Sequence, residues 1–238
     1  MWRCSTLADA DRAAQLAYEA GSTFLMTRVM MGQAMIHTTL GNDGLAERLA
    51  ADAVAQSDRH NLVLVQMTIS YAIRRDRGEQ AELARLESAL GSLIDRIPLF
   101  MSAFALVHAE AGQLDDARRL LAELQTMTPW PRNWLWLAGN VASLEAAVLA
   151  GVEPLITDYA AVLRRYSGQW ALGGAELLCF GPVDRVLGLA AAAKGDLDEA
   201  RRLLASARRV AKRPLCCGSR GRPGPPRGAC ASLSPTRP

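Results

Sequence analysis

Lysine is almost missing from this chain. Lys194 and Lys212 are the only two among 27 basic residues, so the dipeptide Gly-Lys never occurs. A phosphate-binding loop of the GxxxxGK[ST] type is therefore excluded. Histidine is scarce too: His37, His60 and His108 stand apart, outside any HExxH and outside metal-ligand spacing with a cysteine. The five cysteines (Cys4, Cys179, Cys216, Cys217, Cys230) form no paired spacing, which predicts reduced thiols and a cytoplasmic protein. No uncharged run reaches the roughly 18 residues of a membrane span. The most apolar stretch, WLWLAGNVASLEAAVLAGV (134–152), is interrupted by Asn140 and Glu145. The N-terminal MWRCSTLADADR lacks the apolar centre of a signal peptide.

Aromatic residues make up only 5% of the chain, while hydrophobic residues reach 50%. A core of alanine and leucine suits close-packed helices better than a sandwich of strands. A basic field is also missing. The net charge of +3 comes from the end of the chain, where Arg220, Arg222, Arg227 and Arg237 have no acid among them. Residues 1–213 hold one more acid than base, so nothing in the charge balance argues for nucleic acid or an anionic membrane.

What is present is a repeated phrase. AGQLDDARRLLAEL (111–124) returns as KGDLDEARRLLASA (194–207), 83 residues later. In the second copy Leu197, Ala200, Leu203, Leu204, Ala207 and Val210 recur at three- and four-residue steps, one apolar helical face. Asp198, Glu199, Arg201, Arg202, Arg208 and Arg209 form the polar face, with an i,i+4 pair expected between Asp198 and Arg202. Gly195 would end the preceding helix in a left-handed conformation. Asp196 would cap the next helix, with Glu199 completing a capping box. Residues 183–212 thus read as helix, tight turn, helix, and Gly188, Ala191 and Ala192 would let the two helices approach closely.

The same grammar surrounds Gly41, Gly78, Gly112 and Gly151. With Gly195 these markers lie 37, 34, 39 and 44 residues apart. A helix pair every 34–45 residues is the signature of an α-solenoid. The predicted fold is all-α, a right-handed solenoid of about five antiparallel helix pairs over 1–213. The concave surface of such an array is the natural seat for a protein or peptide.

The unit VLGLAAAAKGDLDEARRLLASA resembles a tetratricopeptide repeat, with Leu187, Gly188, Ala191, Gly195, Ala200, Leu204 and Ala207 at that family's packing positions. The earlier copy keeps Gly112, Ala117, Leu121 and Pro129, but has Phe104 and Ala105 where the family prefers Leu and Gly. The succession of LESALGSLIDRIPLFMSAFALVHAEAGQLDDARRLLAEL, PRNWLWLAGNVASLEAAVLAGVEPLITDYAAVLRRYSG and CFGPVDRVLGLAAAAKGDLDEARRLL also resembles the C-terminal helical repeats of large bacterial regulators. In those proteins a cyclase-like domain or LuxR-type helix-turn-helix is joined to a signal-transduction ATPase. The resemblance implies a non-catalytic interaction or sensory module of a signalling protein. Their ATPase and cyclase activities are not expected to transfer, because the chain is read as carrying neither domain.

The stretch 214–238 departs from this pattern. It holds six of the eleven prolines and no acid, aromatic, Val, Ile or Met. Such a composition predicts a disordered tail. A frameshift near codon 213 is expected to account for it, with a truncated gene product as one reading of the whole chain; a genuine disordered tail is the alternative. Neither end offers an obvious polar cap for a solenoid, which predicts exposed apolar ends and self-association.

No set of residues converges on chemistry by spacing, so no catalytic, cofactor-binding or metal-binding residues are predicted, and the protein is not expected to be an enzyme. Asp115–Asp116 and Asp198–Glu199 sit where acids favour a helix N-terminus. His108 is expected at a helix–helix seam. The vicinal Cys216–Cys217 pair is not a redox CxxC, and neither GSTF (21–24) nor GGAEL (173–177) forms a nucleophile elbow. TPWPRNWLW (128–136) clusters Trp130, Trp134 and Trp136 beside Arg132, with Trp170 further on. These are expected to plug an irregular junction between repeats rather than line a binding groove. ARRLLASARRVAKR (200–213) is the best candidate for a DNA-contacting helix and carries the alternative reading, a standalone DNA-associated regulator. Its match to the second helix of a repeat favours a solvated face instead.

Overall fold

The computed structural model describes residues 2–56, 61–90, 97–127, 129–173 and 178–211. The predicted tail 214–238, His60, Lys212, Cys216, Cys217, Cys230 and the side chain of Cys4 lie outside the described residues. Helices dominate: α1 (Trp2–Glu19), α2 (Thr23–Thr39), α3 (Asp43–Ala55), α4 (Asn61–Asp76), α5 (Gln80–Leu90), α6 (Pro98–Glu110), α7 (Leu114–Thr126), α8 (Trp136–Ala150), α9 (Glu153–Leu163), α10 (Val183–Ala193) and α11 (Leu197–Ala211). Between α9 and α10 lie a 3-10 turn (Arg164–Tyr166) and two antiparallel strands, β1 (Trp170–Gly173) and β2 (Leu178–Pro182). No described helix is long and apolar enough to cross a membrane.

The five marker glycines all lie where the periodicity puts them. Gly41, Gly78, Gly112, Gly151 and Gly195 have φ between 68° and 81°. Around each, the glycine N–H donates three residues back and the next N–H donates five residues back, as in Gly195 to Ala192 and Asp196 to Ala191. This double closure satisfies two orphan carbonyls at the end of a helix, and only a residue without Cβ enters it freely. The resulting pairs are α2–α3, α4–α5, α6–α7, α8–α9 and α10–α11, each packed against its own partner. A sixth closure was not anticipated. Gly21 (φ 60°) makes the same two bonds, to Tyr18 and Ala17, and sets α1 in front of the first pair.

The hairpin departs from the all-helical expectation. It accounts for the longest glycine spacing, the 44 residues from Gly151 to Gly195, because β1 and β2 are inserted between α9 and α10. The 39-residue spacing has a similar origin in the irregular segment between α7 and α8.

Burial follows from position within the pairs. In α6, Leu99 and every residue from Met101 to Ala109 are buried, and in α8 so is every residue from Ala138 to Ala147. These two helices pack on each other, with Ser102 and Ser143 hydroxyls bonded at 2.9 Å between them. The second helices are amphipathic instead. α7 buries Ala117, Leu120, Leu121 and Leu124; α11 buries Ala200, Leu203, Ala207 and Val210. Leu197 and Leu204, expected on the apolar face of α11, are 56% and 36% exposed. Leu204 lies over Gly188, where a Cβ would come within 2.8 Å of its Cγ, so Gly188 does permit the close approach. Ala191 is buried beside it, but Ala192 faces outward.

Local ion pairs also differ in detail. Asp198 pairs with Arg201 and Glu199 with Arg202, both i,i+3, in place of the expected Asp198–Arg202 pair. Asp196 caps α11 by accepting from the Glu199 N–H at 3.1 Å. The Glu199 carboxylate turns outward to Arg202 and Arg164 rather than back to the cap. Such alternatives differ by only a few tenths of a kcal/mol on an exposed face.

Candidate functional site

Four of the five first helices, α4, α6, α8 and α10, each contribute one charged residue to a connected line. Arg75 near the end of α4 donates through Nε to both carboxylate oxygens of Glu110 at the end of α6, at 2.9 and 3.0 Å. Its Nη2 also lies 3.4 Å from Glu145 in α8. Glu145 in turn accepts from Arg185 of α10 at 2.7 Å. The four groups connect in the order Glu110–Arg75–Glu145–Arg185, through α6, α4, α8 and α10, with no net charge. Only 7% of the Glu145 side chain is exposed, against 34% for Arg185. Burial penalises the Arg75 charge, but hydrogen bonding to Glu110 and the nearby negative charges outweigh that penalty and hold its proton more tightly than usual.

Tyr71, one turn before Arg75, is buried and donates to the Ala103 carbonyl at 3.3 Å. Burial raises its pKa, with a partial opposing pull from Arg75. Its ring meets that of Phe180 in β2 at 6.5 Å. That contact is one of several by which the hairpin lies on α4, α8 and α10. The chain's own hairpin thus covers part of α4, α8 and α10. A cleft of about 210 Å³ stays open where α2, α4 and β2 meet.

The other sequence-level candidates are placed as follows. His108 is buried in α6, with Nδ1 2.6 Å from the Gln113 side chain. Asp115 and Asp116 occupy the first turn of α7, and Asp198 and Glu199 that of α11. Cys179 is partly buried beside the cleft, and burial pushes its thiol pKa up. Among the described residues, no three His, Cys, Asp or Glu side chains converge as a metal site would require.

The tryptophan cluster divides. Trp130 is buried, its ring against Gly139 and Tyr159 and its N–H near the Leu124 carbonyl, so it plugs the junction between α7 and α8. Trp136 is half-buried between Tyr166 and the Arg132 guanidinium. Trp134 is 58% exposed and plugs nothing. Along α11, Arg201 and Arg202 are each paired with an acid of the same helix, which leaves less positive charge for a phosphate backbone than the arginine count suggests.

Sequence reasoning did not find the Glu110–Arg75–Glu145–Arg185 line. Its residues stand 2, 3, 6 and 10 positions before their turn glycines, so no repeat position marks them. One signal was available: Glu145 is the only charged residue in the apolar stretch 134–152. No known protein family, curated protein or solved structure matches the chain.

Proposed function

We propose that the chain is a non-catalytic protein-interaction module. In this reading the helix pairs form a tetratricopeptide-like solenoid of antiparallel units, and the first helices face a partner protein or peptide. The role resembles that of the repeat region of cytoplasmic bacterial signalling regulators. The observation that carries the reading is the shared face of α4, α6, α8 and α10, held in register by one ionic line. A face locked in this way presents side chains from four separate units at fixed spacing, which is what binding an extended segment requires. Among the described residues, no three His, Cys, Asp or Glu side chains are grouped as a metal site would need.

A photo-crosslinking experiment tests this. Peptides selected from a random displayed library against the full chain are presented to variants carrying a photoreactive residue. Positions 38 and 72 lie on the open part of the first-helix face; positions 119 and 201 lie on second helices. Crosslinking confined to 38 and 72 is the expected result. Crosslinking confined to 119 and 201 would place the working surface on the other side and sink the proposal.

A further inference from the structure

The open cleft has a definite chemical character. Its walls come from α2 (Met35, Thr38, Thr39), α4 (Ile69, Ala72, Asp76) and β2 (Phe180). Most of its hydrogen-bond donors are engaged elsewhere, although Arg75 and Cys179 also line it. The Thr38 and Thr39 hydroxyls donate to the carbonyls of Ala34 and Met35, both at 3.0 Å. The Tyr71 hydroxyl donates to Ala103, and the nearest guanidinium, Arg75, is engaged by Glu110 and Glu145. Acceptors remain: the lone pairs of the two threonine oxygens and the carboxylate of Asp76.

Asp76 is the one acid of the cleft. Among the described residues it has no hydrogen-bond or ion-pair partner, whereas its neighbours are matched, Arg74 with Glu82 and Arg77 with Asp43 and Glu47. An apolar floor with acceptors and one unmatched carboxylate at the rim fits a side chain with an aliphatic stem and a cationic, donor-only head. The volume, about 210 Å³, is below the roughly 300 Å³ of even small ligand pockets and is the scale of a single long side chain.

We propose that this cleft binds a lysine or arginine side chain of an extended partner segment, its stem on Met35, Ile69 and Phe180 and its head on Asp76. The proposal rests on the protein-interaction reading and names what the partner brings to that face. Desolvation raises the Asp76 pKa despite the opposing pull of Arg75, so its carboxylate is incompletely compensated. A bound cation would relieve that penalty.

The test titrates the full chain with three blocked pentapeptides, Gly-Gly-X-Gly-Gly with X lysine, arginine or glutamine, and follows amide resonances. The lysine or arginine peptide is expected to shift the signals of Thr38, Thr39, Asp76 and Phe180, with a dissociation constant at least tenfold below that of the glutamine peptide. D76N, a substitution at an exposed position, is expected to abolish that preference while leaving helical circular dichroism unchanged. Equal response to all three peptides, or an undiminished preference in D76N, would overturn the proposal. Either outcome leaves the interaction reading to its crosslinking test, which does not require the bound peptide to be basic.

Discussion

Replacing Glu145 by leucine probes the line that ties the first helices together. Glu145 lies between Arg75 and Arg185 and is almost wholly buried. Losing its carboxylate strands Arg185, which has no other carboxylate within ion-pair distance among the described residues. Arg75 is less affected, because Glu110 still holds it through two bonds. Breaking a fully buried pair costs about 3–5 kcal/mol. Arg185 is one-third exposed and can reach water, so about 2–3 kcal/mol is expected here. The double variant E145L/R185L removes the stranded charge together with its cause. It should be more stable than E145L alone, with a coupling energy of about 1–2 kcal/mol. Urea unfolding followed by far-ultraviolet circular dichroism, on wild type, both single variants and the double, measures this. Additivity within about 0.5 kcal/mol would show that Glu145 and Arg185 do not depend on each other, and the line would lose its structural role.

Further outcomes follow from other contacts. Gly188→Val forces a branched side chain into Leu204 and should cost about 2 kcal/mol; adding Leu204→Ala should recover at least half of it in the same unfolding assay. Acrylamide quenching of tryptophan fluorescence should fall markedly in Trp134→Phe and barely change in Trp130→Phe, and the reverse order would refute the assigned burial. Tyr71 has a pKa raised by burial, so its neutral form is favoured in the folded state. Its contribution is complete below the unfolded tyrosine value near 10 and is lost as pH rises above it, by up to about 1.4 kcal/mol per pH unit. The urea midpoint should therefore decline above pH 10 in the wild type, and less steeply in Tyr71→Phe. Leu197 and Leu204 on α11, with Leu16 and Tyr18 on α1, leave apolar surface at both ends of the described helices. Sedimentation should show self-association that Leu204→Glu weakens, and a strictly monomeric wild type at tens of micromolar would refute it.

The helical turns were legible in the sequence because their chemistry is local. A glycine that closes a helix by a double hydrogen bond leaves its mark at the glycine itself, whatever packs around it. Gly21 escaped notice because one helix, not two, separates it from Gly41, so it breaks the period that revealed the others. The hairpin was illegible for a different reason. Ala171 and Phe180 are held by burial against helices far away in sequence, and the strands are only four and five residues long. Its one trace was the stretched 44-residue interval. The ionic line depends on which turn of each helix faces its neighbour, a property of stacking rather than of any repeat position. Trp130 and Trp134, four residues apart, met opposite fates because the segment between them is irregular and gives no helical period to reason from.

Hydrogen–deuterium exchange on the full chain, with and without a library-selected peptide, tests most directly whether the first-helix face is the working surface. The account predicts added protection in α2, α4 and β2, around Thr38, Ala72 and Phe180, with α7 and α11 unchanged. Protection confined to α7 and α11 would contradict it.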